Sequence, residues 1–335
     1  RFDEVRCVSR RPDRLPERLP SNAVAMQGDL LDPDSLEACV DGSHTAYYLA
    51  HSLDEGNNYS ELERRSAENF VSAARSAGLK RIVYVGALAQ TSGGAASQHI
   101  TSRRVTGEVL RSGTTPVTEF RAPVVIGAGS MPFESVRSLV ERLPVMVTPR
   151  WVRMPVQPIA AADLVNYLIT AAADKTDESH VYEIGGKDVV TYAELMKTYA
   201  RSRSLRRFMI PVPVITPRLS SLWLKLVTPA HYRIGRRIVD SAAHSSVVRD
   251  TRALRDFKIQ PLTVEKAVAS ALETEREGLR FLEPEPNAGA GISKRRIGTR
   301  FVERRSMRVT GTTDDAYEAI SSVGGPNGWY WGDWL

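Results

Sequence analysis

Ser60-Glu-Leu-Glu-Arg-Arg-Ser-Ala-Glu-Asn-Phe-Val-Ser-Ala-Ala-Arg-Ser-Ala-Gly-Leu-Lys-Arg-Ile-Val-Tyr-Val85 carries two periods in succession. Leu62, Ser66, Asn69/Phe70, Ala73 and Ala77 recur at helical spacing, and Gly78 supplies a stop. Ser60-Glu-Leu-Glu63 has the form of a capping box, which predicts the helix start. The run Ile82-Val-Tyr-Val85 is short and apolar on both alternating sides, as a strand buried on both faces requires. A helix that feeds such a strand is the repeating element of a parallel sheet with crossover helices.

The same alternation extends outward. Extended segments are expected at Glu4–Val8, Ala23–Gln27, Thr45–Leu49, Arg81–Val85, Val117–Arg121 and Val181–Ile184. Between the second and third, Asp32 stands at an N-cap, Pro33 at the first helical position and Gly42 just past the end. After about Glu141 the order loosens. Leu195–Tyr199, Leu219–Val227 and Val264–Leu272 read as helical, with the proline-rich Ile210–Pro217 between the first two. Glu283-Pro-Glu-Pro-Asn-Ala-Gly-Ala-Gly291 has linker composition. Beyond it Thr299–Val309 alternates as a strand and Thr313–Ser322 as a short helix. The expected organisation is therefore residues 1–282 as one α/β unit, 283–291 as linker, and 292–335 as a second piece.

Composition narrows the classes. The chain has 335 residues, 42% hydrophobic and 25% charged, which is globular and long enough for about two domains. Two cysteines, Cys7 and Cys39, make neither a disulfide framework nor a zinc site, and a reducing cytoplasm is expected. The histidines show no metal-ligand spacing, so no metal is expected. A net charge of +6 is mild, and its clusters at 201–207, 231–237 and 294–308 come with no nucleic-acid motif. Pro217–Pro229 places Leu219, Leu222, Trp223 and Leu226 on one helical face, a pattern of a core or pocket helix that would also suit peripheral contact with a membrane surface. Oligomeric state is not legible. The opening Asp3–Val8 already reads as a strand, and aromatic side chains crowd Gly328–Leu335. Both ends are expected to be cuts in a longer chain.

Several strand ends resemble one family. Val5-Arg-Cys-Val-Ser-Arg-Arg-Pro12, Gly28-Asp-Leu-Leu-Asp32, Ala46-Tyr-Tyr-Leu-Ala-His51 and Lys80-Arg-Ile-Val-Tyr-Val-Gly86 are similar to those of the short-chain dehydrogenase/reductase superfamily, in its atypical NmrA-like branch. Phe120–Gly127, Gln157–Asp163 and Val181–Gly186 extend the resemblance to roughly residues 3–280. The chain's end resembles the start of a START-like ligand-pocket domain. The resemblance implies a Rossmann-like doubly wound parallel sheet lacking its first strand and glycine-rich turn, with a smaller helical substrate region at about 128–160 and 185–282. That strand and its helix amount to roughly 30 residues. Its two flanking strands would present open edges, and a chain starting at Arg1 is expected to bind dinucleotide weakly.

The resemblance also implies a cofactor, NADP with NAD as the alternative, laid beyond the carboxyl ends of the strands. Arg10 and Arg11 would meet an adenosine 2′-phosphate, or else merely solvate a loop. Asp29 and Leu30 would flank adenine, and Leu49, Ala50 and His51 would pass under the pyrophosphate and ribose. Gly86, Ala87, Arg103, Arg121, Ala122 and Pro123 complete the implied cofactor set. The family's Tyr-x-x-x-Lys is matched by His99-Ile-Thr-Ser-Arg103, with Gly86 and Ala87 where a serine would stand. His99 is then a candidate acid, with an ordinary pKa of about 6.5, and Arg103 a cofactor-holding cation that would push that pKa down. Two functions remain open from sequence: a reductase acting on an unidentified small molecule, or a redox sensor or assembly protein that holds the cofactor without turnover.

Overall fold

The computed structural model describes residues 4–12, 15, 19–50, 58–90, 97–173, 176–211, 244–280, 291–297, 300–306 and 311–321. The elements in chain order begin with strands β1 (Val5–Ser9) and β2 (Ala23–Gln27), helix α1 (Pro33–Val40), β3 (Thr45–Tyr48), α2 (Tyr59–Ser76), β4 (Arg81–Ala87), α3 (Gln98–Arg111) and β5 (Val117–Ala122). There follow β6 (Val125–Ile126), α4 (Met131–Arg142), β7 (Val145–Thr148), β8 (Pro155–Val156), β9 (Ile159–Ala160), α5 (Ala161–Ala172) and β10 (His180–Glu183). Then come β11 (Val190–Thr191), α6 (Tyr192–Ser202), β12 (Phe208–Pro211), α7 (Arg252–Phe257) and α8 (Val264–Arg280). A second compact unit begins at Glu275, inside α8, and holds the antiparallel hairpin β13 (Gly291–Ile297) and β14 (Arg300–Ser306) and helix α9 (Thr313–Ser321).

Among the residues of α8 whose side chains are described, Ala271 and Leu272 are the last in the apolar core, and the helix runs on past them. Gly291, expected as linker, opens β13 instead, because it pairs across the hairpin with Ser306. The rest of the expected linker, and the segment Leu219–Val227, lie outside the described residues.

All six expected strands form, and every neighbouring pair among them runs parallel. β10, β5, β4 and β3 make one sheet in that order, and β1 and β2 make a second. Among the described residues β1 pairs only with β2, and β3 only with β4, so each has an open edge. The alternation within β4 explains the double winding. Ile82 and Tyr84 face one side and pack with Leu36, Phe70, Ala73 and Leu110 from α1, α2 and α3. Val83 faces the other, where Phe120, Tyr167, Ala171 and Tyr182 gather with α5 and α7. Each such side chain contributes roughly 1.5–3 kcal/mol by leaving water.

The start of α2 departs from the sequence reading. The helix opens at Tyr59, and its N-cap Asn58 makes no side-chain cap bond. Glu63 does not turn back on Ser60; it is buried and accepts a hydrogen bond from the Ser102 hydroxyl of α3. Helix–helix packing has outbid the local box. At the other end Gly78 adopts φ +64°, the left-handed turn that stops a helix, as expected.

A third core, formed by α4, α6 and α8 around Phe133, Val140, Leu195, Tyr199 and Val268, lies apart from the large sheet's two faces. Its polar rivet is Glu141, which accepts a 2.7 Å bond from the Tyr199 hydroxyl and lies 3.3 Å from Arg137 Nε. Burial pushes the Glu141 carboxyl up, but the Tyr199 hydroxyl and the Arg137 and Arg203 guanidinium groups outweigh it and hold the pKa below the ordinary value. A lowered folded-state pKa stabilises above the unfolded value and is lost as pH falls through the folded one. Glu141→Gln is therefore expected to destabilise by about 1–2 kcal/mol at neutral pH, with the gap closing below about pH 4. Urea unfolding of both proteins across that range measures it.

Candidate functional site

Parallel strands end together, so their carboxyl ends gather whatever follows each one. After β1 come Arg10 and Arg11, both exposed; the Arg11 backbone N–H donates to Ser9 Oγ at 3.2 Å. After β2, Gly28 is wedged between Cys39 Sγ and Val8 Cγ1, where a Cβ would approach both to 2.8 Å. Asp29 closes a local turn, its Oδ1 accepting from the Leu31 N–H at 2.9 Å and its own N–H donating to Ser35 Oγ at 2.9 Å. Leu30 packs against the core beside α2, and its carbonyl accepts from Asn69 Nδ2 at 2.9 Å. Asn69 thus ties α2 to the loop after β2.

The ends of β3 and β4 meet through α3. Leu49 and Ala50 are exposed just past β3. The Arg103 guanidinium donates to the carbonyl of Ala50 at 3.4 Å and to that of Val85, and its Cζ stands 5.0 Å from the centre of the Tyr84 ring. Tyr84 in turn donates its hydroxyl to the Arg103 carbonyl at 2.8 Å. Burial pushes that hydroxyl up to about 12, with Arg103 opposing, so at neutral pH it is protonated and donates. His99 sits half-buried one turn before Arg103 on α3, whose N-cap Ser97 accepts from the Ile100 N–H at 3.3 Å. Ala50, Val85, Gly86, Ala87 and Arg103 are therefore brought together. His51 lies outside the described residues.

β5 adds a buried charge cluster. Glu119 is 1% exposed and carries two guanidinium partners: Arg111 of α3, and Arg121 at 2.8 Å. Gly107 makes the space, since a Cβ there would come within 2.5 Å of Glu119 Oε2. Ala122 faces the core beside Phe120, and its carbonyl accepts from the Leu88 N–H at 2.8 Å. Pro123 follows directly.

Residues 1–113 match the model of a family described as NAD(P)H-binding. The fold is Rossmann-like. Solved structures agree: the chain overlays on a nucleoside-diphosphate-sugar epimerase of Staphylococcus aureus with TM-score 0.62 at 14% identity, over 78% of this chain and 89% of that one. A triphenylmethane reductase of Citrobacter sp., complexed with NADP(H), gives 0.59 at 18%, over 74% and 84%. An NADPH-dependent quinone oxidoreductase of Escherichia coli, complexed with NADPH, gives 0.57 at 16%, over 75% and 84%. No curated protein sequence is significantly similar.

In this Rossmann-like unit the ends of β4, β5 and β10 border a polar cleft of about 180 Å³. Ala87, Gln90, Arg103 and Arg121 line it from the sheet side. Arg104, Glu119, Glu183 and Arg249 also border it, and none of these four was expected from sequence. Arg249 is held by Gln90 Oε1 at 2.6 Å, across 159 residues of chain, a distance at which no motif spacing signals contact. Glu119 was also not singled out, although a carboxylate inside a strand that proves buried needs a partner. Among the described residues no three His, Cys, Asp or Glu side chains gather as a metal site, and no helix is long and apolar enough to cross a membrane.

Proposed function

We propose that this protein binds NAD(P)H across the strand ends and is an oxidoreductase on a small molecule, with NADP preferred to NAD. The observation that carries this is the meeting of the β3 and β4 ends at Arg103. Two of its donors hold the carbonyls of Ala50 and Val85, and a guanidinium has five N–H groups, so donors remain for a ribose. Gly86 beside it is packed against Glu119 and Tyr84, and Ala87 borders the cleft. At the end of β1 the exposed Arg10 and Arg11 suit a 2′-phosphate, which their fork geometry binds with two hydrogen bonds. When bound, the nicotinamide supplies or accepts the hydride, and the chain's part is to hold and orient it. His99, one turn from Arg103, is the candidate proton donor to a substrate oxygen.

NADPH and NADH titrations, followed by cofactor fluorescence, test the reading. Arg103→Met is expected to weaken both at least tenfold. Arg10→Ala/Arg11→Ala is expected to weaken NADPH alone, bringing it towards NADH. Equal affinities in wild type and all variants would refute the assignment.

A second reading, a sensor that binds cofactor without turnover, draws support from Gly86 and Ala87, which offer no hydroxyl where the family has serine. His99→Ala separates the two. A reductase loses NADPH oxidation against carbonyl and enone panels, while a sensor keeps its cofactor affinity and shows no oxidation to lose.

A further inference from the structure

The cleft at the ends of β4, β5 and β10 carries more positive charge than a cofactor ribose held by Arg103 would use. Four guanidinium groups border it, from Arg103, Arg104, Arg121 and Arg249, against two carboxylates, from Glu119 and Glu183. Both carboxylates are already committed. Glu119 is shared between Arg111 and Arg121. Glu183 Oε2 accepts the backbone N–H groups of Arg249 at 2.7 Å and Asp250 at 3.2 Å, so it holds the loop and makes no ion pair with the Arg249 side chain.

Arg249 stands on a loop fixed at several points. The Gln90 N–H donates to the Ser245 carbonyl at 2.8 Å, and Gln90 Nε2 to that of Val247 at 2.8 Å. Gln157 adds two more ties, its N–H donating to the Ser246 carbonyl at 3.0 Å and its Oε1 accepting from the Val248 N–H at 3.0 Å. One side-chain bond, to Gln90 Oε1, aims the Arg249 guanidinium at the cleft and leaves further donors. Arg121 spends Nε on Glu119, and Arg104 has no hydrogen bond or ion pair among the described residues.

Arg121 and Arg249, held by Glu119 and Gln90 on a concave polar surface, favour an anion because their ordering cost is met before binding, and Arg104 adds charge on the same rim. The geometry points to a substrate that carries an acidic group, carboxylate or phosphate, received by Arg104, Arg121 and Arg249. This rests on the cofactor reading above, since Arg103 on the same rim is assigned to the cofactor ribose. The 2′-phosphate site assigned to Arg10 and Arg11 follows β1, a strand of the other sheet.

The test is isothermal titration of the full chain with inorganic phosphate and, separately, with succinate, at low salt, with and without saturating NADPH. At least one probe is expected to bind, and Arg104→Gln and Arg249→Gln are each expected to weaken it at least tenfold. Arg249→Lys keeps the charge without the fork and is expected to fall between. NADPH affinity and melting temperature stay near wild type in these variants. Binding of neither probe, or binding unmoved by both substitutions, overturns the proposal. Phosphate responding without succinate assigns the acidic group as phosphate, and the reverse as carboxylate. Should the anion site respond as expected while wild type fails to bind NADPH, the cofactor reading fails and the anion site stands.

Discussion

Glu119→Ala is expected to lower stability by about 3–5 kcal/mol, the range for removing one partner of a buried ion pair. Glu119 is the only carboxylate ion-paired with both Arg111 and Arg121 among the described residues, and the Arg111 side chain is only 20% exposed. Without it, two guanidinium groups face each other in low dielectric. Burial already holds the Arg111 pKa below its ordinary value, with Arg121 adding to the effect, so this site tolerates positive charge poorly. Glu119→Gln keeps hydrogen-bond acceptance at one oxygen and is expected to cost less. Denaturant unfolding at neutral pH measures both, and a loss under about 1 kcal/mol for the alanine variant would show the cluster to be solvated. The same substitution ties stability to the site, because Arg121 then loses the anchor that aims it along the cleft.

This cluster also shows where sequence reading stops. The parallel strands were legible because a strand buried on both faces leaves an uninterrupted apolar run, as in Ile82-Val-Tyr-Val85, whatever packs against it. Helix stops were legible for a similar local reason: Gly78 takes a backbone angle that side chains with a Cβ avoid. The start of α2 was not, because Glu63 had two possible partners. The sequence displays the near one, Ser60, while the buried one, Ser102, belongs to the next helix but is brought close only by packing. Long-range partners win wherever the local one stays in water, since a buried hydrogen-bonding group left unmatched costs more than an exposed one.

The candidate site divides along the same line. Arg103 was singled out only through the resemblance of His99-Ile-Thr-Ser-Arg103 to a family motif, and the structure places it against the ends of β3 and β4. Arg249 could not be read in advance, for it reaches the cleft through a loop whose position depends on Gln90, Gln157 and Glu183 together. Asp163 is a further case of this kind. Its Oδ2 accepts from the Leu262 N–H at 2.8 Å, joining α5 to the segment before α8, and burial raises its pKa against that bond. Its place in a strand-end motif says nothing of that tie.

Phe120→Ala is the second large effect, with an expected loss of about 3–5 kcal/mol. The ring is fully buried in β5 and meets Phe257 at 5.2 Å, Tyr167 at 5.5 Å and Tyr182 at 6.0 Å between centroids. Those neighbours come from α7, α5 and β10, three elements that cannot all move inward when the ring is removed, so a cavity remains and the full cost is felt. Phe120→Leu fills most of the space and is expected to lose about half as much. The position has a functional edge as well: Phe120 lies between Glu119 and Arg121, whose side chains take the opposite face of the strand. Loosening the apolar face of β5 should therefore loosen the polar face, and phosphate or succinate binding should weaken in Phe120→Ala more than in Phe120→Leu. A melting curve and an anion titration on both variants separate the two contributions. A large stability loss with anion affinity intact would show the cleft to be held from the α3 and Arg249 sides alone.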